Sequence, residues 1–219
     1  MNLDKKEIMK KQRERMIREH LLARDITDTR VINAMSEIER ELFIADKYFV
    51  DAYGDHPLPI GHGQTISQPY IVALMSQLCN FEGSEKVLEI GSGSGYQSAI
   101  LSRLAREIFS IERIEPLARR AESILQDMGC GNVKVIHGDG FEGFPEAAPF
   151  DVIILTAAPE KIPQKLMDQL ADRGRLVAPV GDTVQKLVRV TKKGEHLETE
   201  VVTYVRFVPM VKGQGPINH

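Results

Sequence analysis

The chain has 219 residues and a formal net charge of −3, from 28 Lys and Arg against 31 Asp and Glu. That is room for one sizeable α/β domain with elaborations and short for two, and the small negative charge argues against a broad nucleic-acid footprint. The N-terminal stretch is dense in Lys, Arg and Glu, no apolar run is long enough to span a bilayer, and Cys79 and Cys130 stand alone. The expectation is a cytoplasmic protein with no signal peptide, no membrane partner, no disulfide framework and no metal cluster.

From about Asp4 to Leu22 a charged helix carries a thin apolar stripe that includes Ile8, Met9, Met16, Ile17 and Leu21, the pattern of a solvated surface helix. Asp28, a good N-cap, announces a short second helix with Val31, Ile32 and Met35 on one face. Between Tyr53 and Pro69 periodicity is lost, and Gly54, Pro57, Pro59, Gly61 and Gly63 punctuate the chain. The apolar insertions Leu58, Ile60 and Ile66 speak for an ordered loop, and a loop this long in a compact domain is a functional one. It feeds a helix through Ile71, Val72, Leu74, Met75 and Leu78, with Ser67 at or next to the N-cap and Pro69 in the first turn. Ser67 has two readings: a plain helix cap, or, with Thr65 and the free N–H groups of the helix start, an anion site for a substrate carboxylate. Residues 1–80 thus form a helical cap and active-site loop, and residues 81–219 a core, within a single domain.

The core opens on Val87-Leu88-Glu89-Ile90-Gly91-Ser92-Gly93-Ser94-Gly95, a strand pattern running into alternate glycines, and Tyr96 to Leu101 then begins a helix. Such glycines let the backbone turn at unusual φ and let a ligand lie against bare peptide, beside the free N–H groups of the helix. The third glycine of a dinucleotide fingerprint is here Tyr96, so a pyrophosphate is not the favoured ligand. Glu112 ends the next strand-like run, where a carboxylate accepts the ribose hydroxyls of an adenosyl group in dinucleotide and other adenosyl enzymes alike.

A helix from Pro116 to about Met128 and a strand from Val133 to His137 lead to Gly138-Asp139-Gly140. In a doubly wound sheet that turn falls at the same carboxyl edge as the glycine loop, with Asp139 either an ordinary turn aspartate or the partner of an adenine amino group. Phe150 to Leu155 is a nearly continuous apolar strand of the kind buried on both faces, ending in Thr156-Ala157-Ala158-Pro159. A helix near 163–170, a strand at 174–180 and a β-hairpin with its turn at 192–195 complete the chain; the hairpin either adds at the sheet edge or inserts. His56, His62 and His137 lack metal-ligand spacing and are assigned to no metal.

With Gly63-Gln64-Thr65-Ile66-Ser67-Gln68-Pro69-Tyr70, Val87 to Gln97, His137-Gly138-Asp139-Gly140, Thr156-Ala157-Ala158-Pro159 and Val205-Arg206-Phe207-Val208-Pro209-Met210-Val211 in this order, the chain resembles the protein-L-isoaspartate O-methyltransferases of prokaryotic type over nearly its whole length. Tyr70 stands where animal relatives tend to carry histidine. The resemblance implies a doubly wound α/β/α (Rossmann-like) methyltransferase sheet with an N-terminal helical extension and a C-terminal β-hairpin. It implies S-adenosyl-L-methionine as methyl donor, S-adenosyl-L-homocysteine as product and no metal. The acceptor is the α-carboxylate of isoaspartyl residues in damaged proteins and peptides, whose methylation initiates repair through a succinimide.

By the same resemblance Ser67 is the catalytic residue, Gln64, Thr65, Ile66, Ser67 and the motif carboxylate Glu89 are cofactor-binding, and Gly91, Ser92 and Gly93 lie at the cofactor's methionine end. Glu112 takes the ribose, Asp139 and Gly140 take the adenine, and Thr65, Ser67 and Val211 meet the substrate. A monomer without nucleic-acid or membrane partners is expected. The rivals are a class I methyltransferase acting on RNA or a small metabolite, a non-catalytic adenosyl-binding module, and a nicotinamide dehydrogenase. Thr156-Ala157-Ala158-Pro159, where nucleic-acid amino-methyltransferases carry Asn/Asp-Pro-Pro-aromatic, lowers the first, and the glycine spacing lowers the last.

Overall fold

In the computed structural model, which describes residues 3–213, the N-terminal part is helical. Helix α1 (Leu3–Met16) continues into a widened π-helical segment, Ile17–Leu22. Helix α2 (Thr29–Glu37) is capped as expected, with the Asp28 carboxylate accepting the Arg30 N–H at 2.9 Å. The helical stripe does more than skim the surface. Met9, Met16 and Leu21 are at most 2 % exposed, while Ile8, outside the stripe's centre, is 51 % exposed. These methionines and Leu21 belong to the same buried cluster as the inner residues of the main sheet, so the cap completes the core.

The aperiodic loop contains a small antiparallel hairpin, β1 (Leu58–Gly61) and β2 (Gln64–Ile66), with Leu58 opposite Ile66. Its turn takes positive φ at three successive residues, Gly61, His62 and Gly63, which is why glycine flanks the histidine on both sides. Helix α3 (Pro69–Leu78) follows. Then come β3 (Lys86–Ile90), α4 (Tyr96–Ser102), β4 (Glu107–Glu112), α5 (Glu115–Asp127), β5 (Val133–His137), β6 (Phe150–Leu155), α6 (Gln164–Asp168), β7 (Leu170–Val180), β8 (Gln185–Lys193) and β9 (His196–Val205).

The last seven strands form one sheet in the order β5-β4-β3-β6-β7-β8-β9. The first five of that order run parallel, and the β8–β9 hairpin is antiparallel and adds at the edge, so it does not insert. Period-2 alternation divides the apolar side chains between two cores. Val87, Ile108, Val152, Ile154 and Val177 pack with the cap and with α3, α4 and α5. Leu88, Ile90, Phe109, Ile111, Ile153 and Leu155 face the other way, toward α6 and the Phe109–Phe144–Phe150 ring cluster. Each fully buried Leu or Ile contributes roughly 1.5–3 kcal/mol relative to exposure, so both faces hold β3 in place.

Candidate active site

Strand β3 lies where the strand order reverses, with β4 on one side and β6 on the other, and a crevice opens there at the carboxyl ends of the strands. The glycine loop after β3 forms its floor. Gly91 has φ +98, and a Cβ added there would lie 2.4 Å from the Thr156 hydroxyl, which bonds the Ile90 and Gly91 carbonyls at 3.0 and 2.6 Å. The Gly93 and Ile114 N–H groups donate to the two oxygens of Glu112, each at 2.9 Å. Each oxygen keeps a second lone-pair direction, and Glu112, only 5 % exposed, lines the cavity with both oxygens oriented. A Cβ on Gly140 would lie 2.4 Å from Ile90 Cγ2 and 3.2 Å from Met210 Cε, so the opposite wall of the cavity also needs bare backbone.

The hairpin and α3 build the facing wall. Ile60 sits over the glycine loop, 3.6 Å from where a Gly93 side chain would begin. Gln68, not Ser67, is the N-cap of α3, and no side chain caps that helix. The plain-cap reading of Ser67 therefore fails. Its hydroxyl makes no hydrogen bond among the described residues, and its carbonyl is held by Arg40 at 2.8 Å. Ser67 instead stands between two openings. Gln64, Thr65, Ile66, Ser67, Gly91, Ser92, Gly93 and Glu112 all border the cavity over the glycine loop. On its far side a second groove runs past Pro57, Gln68, Ile71 and 204–207, and Thr65, Ser67, Thr156 and Val208 border both.

A strap of chain closes the end. After β9 the chain returns from the sheet edge to β6, where the Ala158 N–H donates to the Val208 carbonyl at 2.9 Å and the Met210 N–H to the Ala158 carbonyl at 2.8 Å. The Gln185 amide clamps Phe207, accepting its N–H at 2.6 Å and donating to its carbonyl at 3.1 Å. Val211 thereby reaches the first cavity while remaining 47 % exposed. Thr156 and Arg113 also line the cavity and were absent from the expected set. Only Thr156 carried a signal in sequence, as the first residue after a strand buried on both faces.

Two expected cofactor residues are placed elsewhere. Glu89 is fully buried beneath the glycine loop and does not border the cavity; the Ser98 and Ser110 hydroxyls donate to its Oε2, the latter at 2.6 Å, and Oε1 has no partner among the described residues. Burial pushes its pKa up to about 7. Asp139 accepts the Phe141 N–H at 2.9 Å and the Gly213 N–H at 2.7 Å, and it is its neighbour Gly140 that borders the cavity. Tyr70 turns away from both openings, donating to Asp25 at 2.7 Å beneath the Arg24 guanidinium.

A family model, protein-L-isoaspartate(D-aspartate) O-methyltransferase, matches residues 11–215. The chain belongs to that family. It is 51 % identical over 206 residues to protein-L-isoaspartate O-methyltransferase 1 of Syntrophobacter fumaroxidans, covering 94 % of this chain and 96 % of the relative. Among solved structures it is similar to a protein-L-isoaspartate O-methyltransferase with a TM-score of 0.85 at 29 % identity, covering 93 % of this chain and 67 % of that one. A Plasmodium falciparum structure described as a protein-L-isoaspartate O-methyltransferase in complex with S-adenosyl-L-homocysteine gives a TM-score of 0.80 at 27 % identity, covering 94 % of this chain and 99 % of the other. The enzyme is thus an O-methyltransferase, and its bare glycine floor and doubly oriented Glu112 fit an adenosyl group with a methionine tail. No helix among the described residues is long and apolar enough to cross a membrane.

Proposed function

We propose that the enzyme binds S-adenosyl-L-methionine over the glycine loop, presents an isoaspartyl α-carboxylate from the second groove, and lets the two meet at Ser67. The observation that carries this reading is the wall shared by the two openings, built from Thr65, Ser67, Thr156 and Val208. When bound, the donor supplies an electrophilic methyl group. The acceptor carboxylate has an ordinary carboxyl pKa and is already ionised at neutral pH, so no general base is needed, and among the described residues no His, Asp, Glu or Lys borders the second groove. What the chain supplies is alignment and exclusion of water. The Ser67 hydroxyl, without another hydrogen-bond partner among the described residues, orients one carboxylate oxygen by donating to it, and Ile60 and the 208–211 strap cover the site. The ester product has a better leaving group than the carboxylate; attack by the neighbouring backbone nitrogen releases methanol, and the resulting succinimide hydrolyses partly to normal aspartate.

In the same reading the enzyme acts on damaged proteins and peptides as a monomer, since one chain lines both openings, and without nucleic acid. Its compartment is the cytoplasm, in keeping with two buried, unpaired thiols, Cys79 and Cys130.

The test is transfer of labelled methyl to a short peptide carrying isoaspartate, against the same peptide with normal aspartate. Label on the first only, released as methanol at alkaline pH, is the expected result; label on neither, with S-adenosyl-L-homocysteine still bound, sinks the acceptor assignment. Ser67→Ala should lower kcat/KM for the peptide by roughly 10- to 100-fold with cofactor affinity nearly unchanged, the loss of one hydrogen bond to a charged group. Full turnover in that variant would remove Ser67 from the mechanism. Glu112→Gln places an N–H₂ group against the Gly93 or Ile114 N–H and withdraws an acceptor from the ribose, so S-adenosyl-L-homocysteine should bind about 10- to 100-fold more weakly by calorimetry.

A further inference from the structure

Among the described residues Arg40 is the largest fully buried side chain, at 0 % exposure, and no ion pair includes it. Its Nε donates to the Ala52 carbonyl at 2.8 Å, its Nη2 donates to the Ser67 carbonyl at 2.8 Å, and Nη1 has no hydrogen-bond acceptor among the described residues. The guanidinium carbon lies 4.9 Å from the centre of the Tyr96 ring, and Tyr96 is the first residue of α4 and borders the cofactor cavity. A buried charge without a counter-ion is among the costliest features a fold can carry, and a methionine of similar volume would fill this space without that cost. Burial lowers its pKa only to about 10, so the group is still a cation at neutral pH.

What the guanidinium holds is a peptide plane. In a trans peptide the N–H points opposite to the carbonyl, so fixing the Ser67 carbonyl inward against Arg40 turns the Gln68 N–H away from it. The Gln68 N–H makes no hydrogen bond among the described residues, and Gln68 and Ile71 border the second groove beside Ser67.

Resting on the acceptor site described above, we propose that Arg40 is a positioning residue for methyl transfer. It sets the Ser67–Gln68 peptide so that the Ser67 hydroxyl and the Gln68 N–H converge on the substrate carboxylate. By lying against Tyr96 it also ties that peptide to the first turn of the helix beneath the cofactor.

The experiment compares Arg40→Met and Arg40→Lys with Tyr53→Phe, which cuts a different buried hydrogen bond of the same cap, to Glu41. Each variant is measured for Tm, S-adenosyl-L-homocysteine affinity, and kcat and KM with an isoaspartyl peptide. Arg40→Met should lower kcat/KM by about 100-fold, mainly in kcat, with cofactor affinity within about 3-fold, as expected for misplacement near the reacting oxygen. A lysine reaches only one of the two carbonyls, so Arg40→Lys should stand about 10-fold below the parent, and Tyr53→Phe should keep its turnover despite a lower Tm. If Arg40→Met does not fold, Arg40→Lys decides. The proposal is overturned by parental kcat/KM in Arg40→Lys, by parental kcat/KM in a folded Arg40→Met, or by turnover and cofactor affinity falling together with Tm across all three variants. No methylation of the isoaspartyl peptide by the parent enzyme would instead refute the acceptor assignment.

Discussion

The Gly91→Ala enzyme should be destabilised by about 3–4 kcal/mol and should bind S-adenosyl-L-homocysteine more than about 100-fold more weakly, the sum of a strained backbone and lost hydrogen bonds. Two separate effects add at this position. First, φ is +98, a conformation that costs an L-residue with a Cβ roughly 1–3 kcal/mol. Second, the new methyl carbon would lie 2.4 Å from the Thr156 hydroxyl, far inside contact distance. That hydroxyl cannot simply swing away, because it ties the end of β6 to the Ile90 and Gly91 carbonyls at 3.0 and 2.6 Å. Moving it opens the crevice that the cofactor has to fill. Calorimetric unfolding and S-adenosyl-L-homocysteine titration measure both parts. Adding Thr156→Ala to Gly91→Ala removes the collision and leaves the backbone strain, so the double variant should bind cofactor better than Gly91→Ala alone. A Gly91→Ala enzyme within about 1 kcal/mol of the parent would contradict the argument.

The second large effect is a pH dependence centred on Glu89. Its carboxyl is fully buried, accepts from two hydroxyls among the described residues, both through Oε2, and is pushed up to about 7 by desolvation. In the unfolded chain the same group titrates in the ordinary range. A group with a raised folded pKa binds more protons in the native state than in the unfolded state between those two values, so native stability falls as pH rises through that window. The contribution is complete below the unfolded pKa and is gone above about 7. Glu89→Gln keeps the shape and removes the titration. The variant should match the parent within about 1 kcal/mol near pH 5 and exceed it by on the order of 3 kcal/mol at pH 8, a Tm difference of roughly 6–12 °C for a domain of this size. Other titrating groups cancel in the difference between the two proteins. A parent-to-variant gap that stays flat from pH 5 to pH 8 would show that Glu89 is not neutralised by burial.

The strands were legible because their signal is local. Val87 to Ile90 and Phe150 to Leu155 are apolar runs closed by turn residues, and burial on both faces of a parallel sheet demands such runs. The glycine loop was legible for the same reason, since positive φ at Gly91, Gly93 and Gly95 writes itself into residue type. Glu112 followed from being the last residue of its strand. Glu89 did not follow, although the period offered a hint: it shares the face of Val87, beneath the loop and toward Ser98 of α4, one residue short of the sheet's edge. Asp139 did not follow either, because a turn carboxylate chooses among nearby N–H groups by packing that residue type does not encode.

By itself, then, the sequence determined the parallel core, the phosphate-free glycine turn and the family to which the chain belongs, all of them properties of contiguous residues. Tertiary structure alone decided that Thr156 joins two openings, that 208–211 returns from a sheet edge to close one of them, and that an arginine from the helical cap grips the carbonyl of Ser67. Those contacts join residues 27 or more positions apart, such as Arg40 with Ser67. Their partners are fixed by the packing of the cap onto the sheet, so no window of sequence contains both sides of the contact.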